Sequence, residues 1–119
     1  MIIRRQQMEA FIRVEQEKFE RRMLESLKQD WPDQFGRRGE EGARKSIRTG
    51  IERAEKYGLT LEGHVSTYIN LMWLYGDGFD QDPQQGWAQQ ILQAPDLEAQ
   101  EKADRLVEHV RQGGEGGQR

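Results

Sequence analysis

The chain has 119 residues, and its 18 basic and 21 acidic side chains leave a net charge of −3. That length suits one domain, but 34% hydrophobic residues and a mean hydropathy of −0.99 predict a thin core that a partner completes. The acidic balance argues against nucleic acid as the principal partner, and the absence of cysteine excludes disulfides, thiolate chemistry and cysteine-based zinc sites.

The amino terminus, MIIRRQQMEAF, is charged and then amphipathic. It lacks the apolar centre and small-residue cleavage site of a signal peptide. No apolar run nears the roughly 18 residues of a membrane span. These features, with the missing cysteines, predict a cytoplasmic protein.

The first element is one long helix from Arg4 to about Asp30. Met8, Ile12, Phe19, Met23 and Leu27 recur at helical spacing, and Phe11, Leu24 and Trp31 widen the stripe. Trp31-Pro32 ends it, because a residue before proline disfavours helical angles. A short polar connection, PDQFGRRG, is expected next. The second helix is expected from Glu40 to Tyr57, with Ala43, Ile47, Ile51 and Ala54 facing inward. The small residues Ala43, Gly50 and Ala54 admit a close neighbour, and Gly58 supplies a left-handed stop.

A third helix is expected after Thr60 as N-cap. Val65, Tyr68, Ile69, Leu71, Met72, Trp73, Leu74 and Tyr75 make it apolar over most of its circumference, which predicts a central position. Gly76 ends it. Asp82-Pro83 reads as a cap and first residue for a short helix with Trp87, Ile91 and Leu92. Ala94-Pro95 breaks that helix, and Asp96 is expected to cap a last one carrying Leu97, Ala103, Leu106, Val107 and Val110. No strand alternation or internal repeat occurs. The expected fold is all-α: a single bundle of four to five helices over 1–112, followed by a disordered glycine-rich tail at 113–119.

Asp77, Asp80 and Asp82 crowd one loop, as calcium ligands do. A helix–loop–helix calcium site needs oxygen ligands at positions 1, 3 and 5, glycine at 6 and glutamate at 12. Counting from Asp77 puts Phe79 at position 3 and Ala88 at 12. Counting from Asp80 puts Gln85 at position 6 and Ile91 at 12. Neither register works, so the expected roles are a cap for Asp82 and pins to the core for Phe79 and Trp87. His64 and His109 have no third ligand at metal spacing and read as surface or capping residues. Glu40-Glu41 and Glu52 with Glu55 read as solvated acids. Ser26, Ser46 and Ser66 lack a nucleophile motif, and GRRGEEG lacks the lysine and hydroxyl of a phosphate loop. RRGEEGARKSIR carries five bases, but the helix after it is apolar, which speaks against helix-turn-helix recognition of DNA. No catalytic, cofactor or metal residue is assigned.

IIRRQQMEAF (2–11), GEEGARKSIRTGIERAEKYG (39–58) and GDGFDQDPQQGWAQQIL (76–92) resemble small helical accessory proteins encoded in type VI secretion effector clusters, beside spike-tip proteins, effector chaperones and toxins. The likeness spans roughly positions 2 to 92. It implies a non-enzymatic co-chaperone or adaptor that binds an effector toxin, its chaperone or a spike-tip protein. An aromatic-rich chain with a small core fits a docking surface. The long first helix supplies the expected partner-binding anchors, Phe11, Phe19, Met23 and Trp31. Two alternatives belong to other classes: a toxin-neutralising immunity protein, and a small enzyme using paired carboxylates.

Overall fold

The computed structural model describes the backbone of residues 5–117 and the side chains of residues 16–112. Among the described residues the chain forms five α-helices and no strand, so it is all-α as the periodicity predicts. The helices are α1 (Arg5–Asp30), α2 (Pro32–Lys56), α3 (Glu62–Tyr75), α4 (Gly86–Leu92) and α5 (Ala99–Gly117). Two 3-10 turns, Phe79–Gln81 and Pro83–Gln85, precede α4. The chain groups into two compact units, residues 1–48 and 49–119.

In the first unit α1 stops at Asp30, where Pro32 restricts Trp31. The polar stretch after it is not the loop expected from its glycines. Proline at the first helical position has no N–H to waste and a preset φ, so Pro32 opens α2 at once. The Phe35 N–H donates to the Trp31 carbonyl at 2.8 Å. The real break is Gly39, with φ 78 and ψ 166, a backbone state that glycine enters without steric cost. Gly36 stays helical.

Phe19, Met23, Leu24 and Leu27 of α1 are buried, as are Ala43 and Ile47 of α2. These are the faces that the spacing predicts. The side chains of Met8, Phe11 and Ile12 lie outside the described residues. A forked ion pair ties the two helices. Glu20 accepts from Arg44 Nη1 at 2.9 Å and from Arg48 Nε at 3.0 Å. Arg44 also reaches Glu40, one turn away, at 3.0 Å. Burial pushes the Glu20 carboxyl up, but the hydrogen bonds from Arg48 and Arg44 outweigh it and hold the group below its ordinary value.

The second unit begins within α2. At Gly50 α3 comes close: a Cβ there would lie 2.5 Å from Ile69 Cγ1 and 3.1 Å from Met72 Sδ. The helix then ends in a Schellman motif. Gly58 takes φ 83, the Leu59 N–H donates to the Ala54 carbonyl at 2.9 Å, and Gly58 N–H donates to Glu55 at 3.0 Å. Leu59 is buried over the turn.

Thr60 does not cap α3. Leu61 occupies the cap position and offers no side-chain bond, while its carbonyl accepts from Val65 N–H at 2.9 Å. The helix buries His64, Val65, Tyr68, Ile69, Leu71, Met72 and Trp73, which is the broad burial its composition predicts. Gly76, at φ 113, ends it.

Asp82 is a cap, accepting from the Gln84 N–H at 2.9 Å with Pro83 next, but it caps the second 3-10 turn, and the helix with Trp87 starts later, behind Gln85. Asp96 does not cap α5. The helix starts later, and Glu101 accepts from the Glu98 N–H at 3.1 Å, half of a capping box. The backbone of α5 runs to Gly117, past position 112 where the folded part was expected to end. The side chains of 113–119, expected to form a disordered tail, lie outside the described residues.

Near their starts, His64 of α3 and Gln100 of α5 meet at 3.1 Å. Trp87 of α4 then bridges Tyr75, at the end of α3, to His109 of α5, with ring centroids 5.4 and 3.9 Å apart. Helices α3 and α5 therefore run in the same direction, and the corner and α4 make the return between them.

Candidate functional site

The loop with three aspartates sends them to three different places. Asp77 is exposed, Asp82 caps a turn, and Asp80 turns inward to 5% exposure. No group of three potential metal ligands occurs among the described residues. The sequence pattern did not reveal Asp80 as a buried acid, because its partners come from elements far away in the chain.

Tyr57, just beyond the end of α2, donates its hydroxyl to Asp80 Oδ2 at 2.6 Å. Gln81 Nε2 approaches the same hydroxyl at 3.5 Å. Tyr68, from the middle of α3, packs between Tyr57 and Phe79, with ring centroids 6.1 and 5.0 Å away. Its hydroxyl and Asp80 Oδ1 are both buried without a hydrogen-bond partner of normal geometry. Burial, then the hydrogen bond to Asp80, pushes the Tyr57 phenol up to about 12. Burial, then the Asp80 charge, raises Tyr68 further.

A pocket of about 280 Å³ opens beside this group, lined by Arg53, Lys56, Tyr57, Gly78, Asp80 and Gln81. Arg53 and Lys56 occupy the last turn of α2, where cations are favoured by the helix dipole. Arg53 Nη1 donates to the Asp77 carbonyl and fixes the guanidinium at the pocket edge. Lys102 of α5 donates to the Tyr57 carbonyl at 3.0 Å and steadies the same turn from another side.

The histidines differ from their expected roles. His64 is buried, at 7% exposure, with Nε2 on Gln100 and Nδ1 without a partner. An apolar helix face left no surface position there. His109 stacks on Trp87 at an interplanar angle of 14° and lies well inside α5, which continues beyond it. The two histidines are held by different partners. Glu40, Glu41, Glu52 and Glu55 are exposed, as solvated acids should be. Ser46 is buried, and the other two serines are half-buried.

Of the expected partner-binding anchors, Phe19 and Met23 are 7% and 3% exposed and face the interior. Trp31 is half-buried. The Phe11 side chain lies outside the described residues. Among the described residues the large apolar side chains that stand exposed are Leu61, Leu74 and Val107.

No family model, no curated protein and no solved structure matches the chain.

Proposed function

We propose that this protein is a non-enzymatic, protein-binding accessory factor, a co-chaperone or adaptor for a type VI secretion effector or for the effector's chaperone. One observation carries the reading. Among the described residues the glycines with positive φ are Gly39, Gly58 and Gly76. They mark the start of the family-like stretch 39–58, its end, and the start of the stretch 76–92. The residues that carry the resemblance therefore frame helices and corners, which supports a structural rather than a catalytic part for them in this reading.

In this reading the protein acts in the cytoplasm, before its effector is loaded onto the spike. Among the described residues no helix is long and apolar enough to cross a membrane. Partner binding buries an apolar helix face, with charged rims setting specificity. Of the proposed anchors Phe11, Phe19, Met23 and Trp31, Trp31 is the partly open one among those with described side chains, and Phe11 lies outside them. Phe19 and Met23 become reachable to a partner that takes over part of the first unit's packing.

The test is co-purification of the tagged chain with the products of its neighbouring genes. A chaperone, toxin or spike protein should be recovered, and Trp31→Ala should weaken its capture about tenfold. Recovery of none of the three overturns the assignment.

A further inference from the structure

The pocket at the end of α2 has an uneven distribution of hydrogen-bonding capacity. Its acid does not face the opening: Asp80 is buried, its Oδ2 accepts from Tyr57, and its Oδ1, without a partner, is shut away from solvent. What the pocket offers outward is donors. Among the described residues the Lys56 ammonium has no protein partner, and Lys56 is exposed. Arg53 uses one Nη on the Asp77 carbonyl, which leaves its other N–H groups available and the guanidinium plane fixed. The Gln81 amide lies on the same rim. Gly78 adds no side chain, and a Cβ there would meet nothing within 4 Å, so the loop side stays open. The helix dipole explains why two cations stand in this turn. It does not explain the hollow between them.

We propose that this pocket binds a carboxylate, with Arg53 and Lys56 as its charged donors and Gln81 as a neutral one. A planar guanidinium held from behind suits a carboxylate, because its N–H groups form a fixed fork. The volume of about 280 Å³ accommodates a short acid, whose far end leaves through the open side of the pocket. Two sources share this chemistry: a free small dicarboxylic acid, or an acidic side chain of a bound protein. The second source deepens the accessory role proposed above and rests on it; the first does not.

The experiment is an amide chemical-shift titration of the full chain with three probes, sodium glutarate, N-acetyl-glutamate amide and inorganic phosphate, each against sodium chloride of equal ionic strength. Saturable shifts confined to residues 53–57 and 78–81 are expected with the two carboxylates. Lys56→Gln should weaken them about tenfold, the effect of one charge-assisted bond. Arg105→Gln, on the exposed face of α5, should leave them unchanged. Glutarate binding alone assigns a free acid, and binding of the glutamate amide assigns a side chain. Shifts no larger than those from chloride overturn the proposal. So do shifts spread over the surface, binding indifferent to Lys56→Gln, or binding of phosphate only. Failure here is separable from failure of the accessory role: if a partner co-purifies with wild type and with Lys56→Gln alike, the accessory role stands and a side-chain source for the carboxylate falls.

Discussion

Tyr57 donates its phenolic proton to Asp80 at 2.6 Å, so a buried carboxylate holds the corner after α3 to the residue that closes α2. Two segments more than twenty positions apart in sequence are joined by one bond. A buried acid that loses such a donor keeps its desolvation cost without compensation. Tyr57→Phe should therefore destabilise the fold by about 1–3 kcal/mol in urea unfolding. Asp80→Asn keeps an acceptor for Tyr57 and adds a donor toward Tyr68, so it should cost less. The reverse order would mean that the negative charge, not the bond, matters here.

The tyrosines give an optical check on the same region. Tyr57 is pushed up to about 12, Tyr68 is raised beyond that, and burial raises Tyr75 as well. The chain has three tyrosines, so none should ionise at its ordinary value of 10.0. At pH 10, absorbance near 295 nm, about the usual tyrosinate band, should be lower for the folded chain and should rise on adding denaturant to about half of full ionisation. A raised folded value means the neutral phenol is favoured in the native state. The stability from Tyr57 is thus complete below pH 10 and is lost as pH climbs through about 12.

Gly50→Ala tests the approach of α3 to α2. In an open helix the change should help by about 1 kcal/mol, since alanine is the better helix former. Here the new methyl meets Ile69 Cγ1 at 2.5 Å and Met72 Sδ at 3.1 Å. Overpacking wins, and a net loss of about 1–3 kcal/mol is expected in thermal or urea unfolding. Paired with Ile69→Ala, which removes the struck atom, Gly50→Ala should cost less than it does alone.

Glu20 supplies the acid-side counterpart. Arg48 and Arg44 hold its carboxyl below the ordinary 4.5, so it contributes stability above that pH and loses it as pH falls through the folded value. Glu20→Gln should lower the melting temperature at pH 7, by an amount worth about 1 kcal/mol or less. The gap between wild type and variant should close as pH falls below the lowered folded value of Glu20, where both lack the charge. It should also narrow in high salt.

Much of the fold was legible because helices write a period into the sequence. The stripe Phe19, Met23, Leu27 and, of the expected inner face, Ala43, Ile47 and Ala54 are buried where spacing places them, while Ile51 is half-buried. Gly58, Gly76 and Asp82 act as the stop and cap residues they resemble. What failed was punctuation with two grammars. Pro32 ends one helix and begins the next, and only three-dimensional packing reveals that no loop intervenes. Thr60 and Asp96 are good caps by type, yet α3 begins behind Leu61, and α5 behind a Glu98–Glu101 pair. In the candidate site, Asp82 was readable because its bond is local. Asp80 and His64 were not, because Tyr57, Tyr68 and Gln100 reach them from distant parts of the chain.

The common direction of α3 and α5 has a consequence for the order of assembly. Two neighbouring helices joined by a short turn run antiparallel and zip together soon after both form. Parallel ones need a return path, and here the chain must lay down the corner and α4 before His64 can find Gln100. Closing that longer circuit is entropically slower than forming a hairpin. During synthesis, the most apolar helix of the molecule therefore waits with one flank uncovered until the last helix arrives.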